Sequence, residues 1–599
     1  MSAPNPWIFT LLLLALVQAC SPVEDPTLFP AFDPATAEPP PAKPAVANNP
    51  LRNLLWGDLH IHTSYSTDAY TMGVRATPDD AYIFTRGGTI EHGAGYAIRI
   101  DRPLDFAAVT DHAEYLGTAR LDETVLVLEE RSLRDRLLND GPLAMTIAFI
   151  RATTAIAGGD LSANTPGVEQ VGMDAWDYMV ETADRHYDPG TFSTLVAYEW
   201  TSMPDSQNLH RNVIYRDTNV PRIPFSSLDS DNPEDLWDAL DAQRDEGKRV
   251  LAIPHNGNLS NGLMYARKQF DGSAIDDEYA RQRLRNEPIS EILQIKGSSE
   301  THPLLSPEDE FANFELVTEQ LSARGDFSEP RGSYARDALR AGLEMSHNEG
   351  FNPYRFGVIG SSDSHNASTS VEEDNHHGKL PVMDGTAALR LGEALLMPDK
   401  YLRQRRWGAA GLAAVWAQEN TRESIFDALL RRETYATSGP RISLRFFGSF
   451  EYEATMMEGT NLLSVAYELG VPMGSELPAA IAGRAPRFTL WVAKDPQGAN
   501  LDRLQLIKGW VDRSGVSHER IFDLASAAFS NSIGSEQLAA FWEDADFDPA
   551  EEAFYYARAI EIPTPRWSTY DAMRLGVVAP EPTSLQERAI SSAIWYRGE

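Results

Sequence analysis

Short apolar runs that each end in polar, often ionisable residues are the feature that most limits what this chain can fold into. They sit in NLLWGDLHIH, PLDFAAVTDHAE, FSTLVAYEWTS, KRVLAIPHNGN, SEILQIKGSSE and RFGVIGSSDSH. Brief unbroken apolar runs mark strands buried on both faces, as in parallel sheets. Between them lie helical patterns such as DLWDALDAQRDEG, in which Leu236, Ala239 and Leu240 share a stripe and Gly247 marks the stop. Strand then helix, repeated, predicts α/β architecture, either a β/α barrel or a doubly wound sheet. The polar endings favour the barrel, because its strands converge C-terminally on one mouth where side chains far apart in sequence can meet.

ESIFDALLRRETYATSGPRI closes this unit, which is expected to span residues 51–445. Beyond it, RISLRFFGSFEYE, RFTLWVAKDP, LDRLQLIKGWVD and AFYYARAIEIP alternate in a β-like way between turn residues. They predict a small antiparallel β-sandwich-like domain over 446–599. A second domain is expected in any case, since a single core usually stops growing at about 250–300 residues and this chain has 599. At the other end, the apolar stretch Trp7 to Val17 is too short to span a bilayer but suits a signal peptide, residues 1–20. Val17-Gln18-Ala19-Cys20 resembles a bacterial lipobox, although no Lys or Arg precedes the apolar stretch. Cys20 is the expected lipidation site, and as the sole cysteine it can form no disulfide within the chain. Residues 21–50 are proline-rich and read as a tether. An exported periplasmic or outer-membrane lipoprotein is expected, touching the membrane only through its lipid.

A net charge of -35 and a pI near 4.7 exclude the basic stripes that bind nucleic acid, leaving a small molecule as the expected partner. Nothing in the sequence speaks to oligomeric state. The polar strand ends carry the chemistry. Asp58, His60 and His62 share one strand face, which with two imidazoles cannot be ordinary core. They form a metal platform, with Asp58 placed to fix a ring from behind. Asp111 and His112, Glu199, His255, and Asp363 with His365 close other strands, and His210 precedes the apolar run NVIY. With Asp68 the potential ligands are His60, His62, Asp68, His112, Glu199, His210, His255, Asp363 and His365. This set suits zinc, manganese or iron and is too large for one ion. Lys296 and Arg211 are candidates to clamp an anionic substrate group, and Asn256 to orient it. His92, His186, His302, His347 and His518 lack partners at ligand spacing, and His376-His377 reads as a solvated loop. No Ser-His-Asp arrangement is visible.

HIH at 60–62, Asp68, TDH, a strand-end glutamate, two separated histidines and DSH together resemble the polymerase and histidinol phosphatase (PHP) superfamily, over residues 54 to 440. YEWTS, LHRNVIYRD, PHNGNLSNG, GSSDSHN, PTPRWSTYDA and ERAISSAIWY look like a large exported branch of it whose activity is poorly defined. The resemblance implies a distorted seven-stranded β/α barrel with two or three divalent ions at its mouth. By motif, His60, His62, Glu199 and Asp363 would hold the first ion, and Glu199 would bridge to a second held by His210 and His255. Asp68, His112 and His365 would hold a third, Asp68 standing where many relatives have histidine. Glu199, Asp363 and His365 would be the catalytic residues. The implied activity is phosphoester hydrolysis by a metal-bound hydroxide. The same centre would serve hydrolysis of amide, lactone or carboxylic ester bonds. A third alternative is a non-catalytic binding or scaffold lipoprotein.

Overall fold

The apolar runs form strands β1 (Asn53–Ile61), β2 (Phe106–Val109), β3 (Ser193–Trp200), β4 (Arg211–Tyr215), β5 (Val250–Pro254), β6 (Ile289–Gln294) and β7 (Gly357–Gly360). The computed structural model describes residues 46–121, 168–321, 326–392, 403–526 and 533–598. The expected signal peptide, Cys20 and the tether up to residue 45 lie outside the described residues. β1, β2 and β3 pair in parallel, but β4 is antiparallel to β3, and β5 antiparallel to β4. The reversal at β4 has a simple cause: only Thr201 to His210 separate it from β3, too few for a helical crossover. It also matters for the site. His210, at the start of an antiparallel strand, lies at the same edge as Glu199 near the end of its neighbour.

β6 and β7 pair in parallel in a separate sheet with Gly297–Ser298. The segment after β7 then runs along the end of β1. There His62 N donates to Ser364 O (2.8 Å), Asp363 N to His60 O (2.8 Å) and Ala367 N to His62 O (3.0 Å). Ser290 Oγ of β6 donates to Pro254 O of β5 at 3.2 Å. All seven strands feed one buried apolar cluster, through Leu59, Phe106, Leu195, Ile214, Ile253, Ile289 and Ile359. Fully burying side chains of this size stabilises by about 1.5–3 kcal/mol each, which outweighs the few hydrogen bonds joining the two sheets. The expected helix near residue 240 forms as α1 (Pro233–Asp245), capped by Asn232, with Leu236, Trp237 and Leu240 buried. Gly247 adopts φ 88°, a left-handed stop that other residues adopt at a cost.

β8 (Leu412–Ala417) pairs antiparallel with the other side of β1, and β9 (Thr434–Thr437) with β8. The C-terminal region is β-rich and antiparallel, as its alternation predicts. Its strands are β10 (Ser443–Ser449), β11 (Arg487–Ala493), β12 (Leu501–Val511), β13 (Ser517–Ser526), β14 (Gln537–Glu543), β15 (Ala553–Glu561) and β16 (Arg588–Ser591). β10, β11 and β14 form a small sheet with Val471–Pro472. The other layer is not a sheet of its own. β16 pairs with β9 through Tyr435↔Ser591, Ala436↔Ile590 and Thr437↔Ala589, so one twelve-stranded sheet runs from β5 to β13. β16 thereby covers backbone groups that β9 would otherwise leave as an open edge. The fold is therefore mixed α/β, with a large central sheet and smaller sheets around it, and Pro44–Glu599 is one compact unit. Buried ion pairs add to the continuity: Arg558 meets Glu300 (3.1 Å) and Asp309 (2.7 Å), and Arg336 meets Glu300 (2.7 Å).

Helix α2 (Trp567–Leu575) roofs the loop after β7 and corrects one expectation. His376 and His377 are not solvated but buried. His376 stacks on Trp567 with ring centroids 4.9 Å apart, and His377 Nε2 lies 2.7 Å from Ser368 Oγ. In the same contact Glu373 accepts from Trp567 N, and burial, reinforced by Glu315, pushes Glu373 up to about 8. Unfolded glutamate titrates near 4.3, so between about 4.3 and 8 the folded state holds a proton that the unfolded state has lost. This group's contribution to stability is complete below the unfolded pKa and falls as pH rises to 8. Glu373→Gln should therefore raise the melting temperature relative to wild type at pH 8.5 and change it little at pH 4.5. Thermal denaturation at both pH values checks this, and equal shifts at both would refute it.

Candidate metal centre

All nine expected ligands converge beside the ends of β1, β2, β3, β5 and β7 and the start of β4. Nε2 of His60 and of His62 lie 3.2 Å and 2.9 Å from Glu199 Oε2, and 3.6 Å and 3.7 Å from Asp363 Oδ1. The other Glu199 oxygen, Oε1, is 2.6 Å from His210 Nδ1 and 3.2 Å from His255 Nε2. Asp68 meets His112 Nε2 at 3.4 Å and His365 Nε2 at 2.8 Å. Ligands about 2.0–2.2 Å from a tetrahedral zinc ion sit roughly 3.3–3.6 Å from one another; the separations here, 2.6 to 3.7 Å, lie around that range, with the shortest at direct hydrogen-bonding distance. His62 Nε2, on the side of Glu199, is buried without a hydrogen-bond partner among the described residues, as an atom reserved for a metal would be, whereas the unpartnered nitrogens of His210 (Nε2) and His255 (Nδ1) are the ones opposite those that meet Glu199. Groups with ligand-like spacing include His62–His112–His365, His60–His62–Asp363 and Glu199–His210–His255.

The supporting contacts fix which nitrogen of each ring faces inward. Glu291 lies 3.0 Å from His60 Nδ1, leaving Nε2 for the centre. Ser66 Oγ donates to Asp111 (2.7 Å) and lies 2.9 Å from His62 Nδ1, so Asp111 acts on that ring through the serine. Thr201 Oγ1 does the same for His112 Nδ1 at 2.5 Å. Asp58 touches no imidazole. It accepts from Ser362 N (3.0 Å), His60 N (3.0 Å) and Thr369 Oγ1 (2.6 Å), tying β1 to the loop after β7, and Glu291 holds the ring-fixing role expected of it. Asp363 is held at φ 55° and Asn256 at φ 53°, left-handed conformations that fold-wide contacts must impose at such sites.

Burial opposes charge on every group here, and the neighbours decide the outcome. Despite burial, His112, His255 and His210 hold the Glu199 carboxyl well below its usual range, and Lys296 and Lys379 do so for Asp363. Burial drives His210 down to about 3, and takes His62 well below the usual range with help from His365 and His112. Both are therefore neutral, the state a metal ligand requires. His60 and His112 go the other way: against burial, the carboxylates of Glu291 and Asp363 raise His60 to about 10, and those of Glu199 and Asp68 raise His112 to about 9. Glu291 keeps the proton on Nδ1 of His60, so a metal would bind at Nε2 by displacing the proton there.

A family profile described as "Protein of unknown function (DUF3604)" matches residues 49–528 and 523–598. The chain belongs to the DUF3604 family. No curated protein matches it. A solved structure from Bacteroides vulgatus ATCC 8482, a two-domain protein containing a predicted PHP-like metal-dependent phosphoesterase, aligns with 87% of this chain and 94% of its own. The identity is 11% and the TM-score 0.28.

In this DUF3604 chain, a cavity of about 460 Å³ opens on the ligands. Lys296 lines it with its Nζ 2.7 Å from Asp363 Oδ2. Lys379, which sequence reasoning missed, lies opposite, its Nζ 2.5 Å from Asp363 Oδ1 and 2.7 Å from His365 Nδ1. Arg211 is a correction. It neighbours His210 in the chain and so points to the other side of β4, where its Nε donates to the buried Glu287 at 2.9 Å. Asn256 is buried and does not line the cavity. His92 is buried, with Nε2 3.2 Å from Asn366 Nδ2, whereas His186 and His518 pair with Asp79 and Asp512. None of these three, nor His302 or His347, belongs to a ligand group among the described residues.

Proposed function

We propose that this protein is a metal-dependent phosphoesterase with a PHP-like centre of two or three divalent ions, zinc, manganese or iron. The observation that carries the reading is Glu199 and eight further candidate ligands gathered beside two buried lysines at the base of one cavity. His60, His62, Glu199 and Asp363 would hold one ion, Glu199, His210 and His255 a second, and Asp68, His112 and His365 a third. Bound divalent ions supply a water acidified towards neutrality and positive charge against a developing oxyanion. The chain does the rest. Glu199 joins two ligand groups with its two oxygens, and Asp363 and His365 hold Lys379 beside the cavity. The ammonium groups of Lys296 and Lys379 are placed to meet the oxygens of a phosphoryl group. Such charge-assisted contacts favour an anionic phosphoester over an uncharged amide or lactone carbonyl. They also provide local positive charge inside an acidic protein. A PHP-like barrel would join the two sheets that hold β1 to β7, and the contact of Ser290 with Pro254 and the bonds of residues 361–367 along β1 support that reading.

Elemental analysis of the purified protein is expected to give two to three zinc, manganese or iron ions per chain, with inorganic phosphate released from phosphoesters only in their presence. Release of a carboxylate from amides or lactones instead would move the reading to carbonyl chemistry. Protein that holds no metal and takes up none on reconstitution would overturn it.

A further inference from the structure

The centre explains one end of the cavity only. Among the described residues, the remaining wall is formed mainly by Tyr115, Met203, Leu321, Leu380, Met383 and Trp407, so it is largely hydrocarbon. Few polar groups stand between the two ends, and among them only Glu114 Oε2 is buried without a hydrogen-bond partner among the described residues. Glu114 Oε1 accepts from Thr201 N (3.1 Å) and Ser227 N (2.6 Å), and Thr67 Oγ1 donates to Tyr115 O (3.2 Å). Trp407 and Leu380 are buried, while Met203 is 37% exposed at the open side. Hydroxyl groups of a sugar or glycerol placed against such a wall would lose water and find few partners, whereas a ring or alkyl chain would gain by leaving water.

Resting on the phosphoesterase reading, we infer that the substrate is a phosphomonoester of an apolar alcohol, with its dianionic head between Lys296 and Lys379 and its ring or chain against Trp407, Met383 and Leu380. Hydrolysis joins a water oxygen to phosphorus and breaks the bond from phosphorus to the alcohol oxygen. That oxygen leaves with the electron pair and takes a proton from the water, giving the free alcohol and hydrogen phosphate.

The test compares benzyl phosphate with glycerol 1-phosphate, both esters of primary alcohols, on the metal-loaded protein. Binding of the inert analogues benzylphosphonate and methylphosphonate is measured alongside by calorimetry. The benzyl compounds are expected to lead by at least about tenfold in kcat/KM and in affinity, the scale on which apolar pockets discriminate. Met383→Ser and Met203→Ser should each bring the benzyl-to-methyl affinity ratio towards one. Equal values for benzyl and small ligands, with phosphate released from both, would overturn the inference and leave the phosphoesterase reading standing. Metal-loaded protein that binds neither phosphonate and cleaves neither ester would overturn both.

Discussion

Glu199→Ala should lower hydrolytic turnover on the order of a thousandfold, the scale on which a preorganised electrostatic group is lost, and should reduce bound metal by at least one ion per chain. The reason is its position. Oε2 faces His60, His62 and His112 at 3.2, 2.9 and 3.5 Å, and Oε1 faces His210 and His255 at 2.6 and 3.2 Å. Two ligand groups thus share one carboxylate, and removing it takes negative charge from both. His60, His62 and Asp363 remain in one group, but the other keeps only His210 and His255, imidazoles that coordinate but cannot offset a cation's charge. Glu291→Gln gives the contrast. It touches only His60 Nδ1, so turnover should fall by about 10–100-fold, the usual effect of an outer partner. Steady-state rates and metal content on both variants check the ordering. Full metal and full turnover in Glu199→Ala would show that the bridging role is wrong.

Much of this centre was legible because its ligands are polar residues in places where a buried strand should be apolar. His60 and His62 break the hydrocarbon pattern of NLLWGDLHIH, and Asp111, His112, Glu199, His255, Asp363 and His365 all lie at or just beyond strand ends. Glu291 carried the same mark, a carboxylate inside ISEILQ, but stands mid-strand where attention to strand ends passes over it. Arg211 was misjudged for want of the same arithmetic: if His210 faces the centre, the next residue along the strand faces away. Lys379 and the paired histidines before it lie in a loop of acidic, loop-like composition. What buries that loop is α2, nearly two hundred residues later, and no local pattern reports so distant a contact. The C-terminal strands were recognisable by alternation. Alternation says which face is buried but not which neighbour a strand takes, so the join of β9 to β16 could not be read.

Stripping the metal should destabilise the whole unit rather than the centre alone. The buried carboxylates of Glu199 and Asp363 would then have only Lys296, Lys379 and the histidines for compensation, and buried carboxylates that lose a partner cost several kcal/mol. An ion present at a thousand times its Kd contributes about 4 kcal/mol. At about 2–4 °C per kcal/mol for a domain of 150–250 residues, and less for a larger one, a chelator should lower the melting temperature by on the order of 5–10 °C. The peptide groups of His60 and His62 also accept from Asp363 N and Ala367 N, so the ligands and the bonds holding β7 against β1 belong to the same residues. β1 in turn lies within the sheet that continues through β8, β9 and β16 into the C-terminal strands. The chelated protein should therefore show one transition shifted to lower temperature, with no separate early melting of residues 51–445. Zinc or manganese should restore it and calcium should not, since a histidine-rich set suits the former ions. Differential scanning calorimetry with and without chelator decides the matter, and an unchanged melting temperature in metal-depleted protein would remove the structural role assigned to the ions.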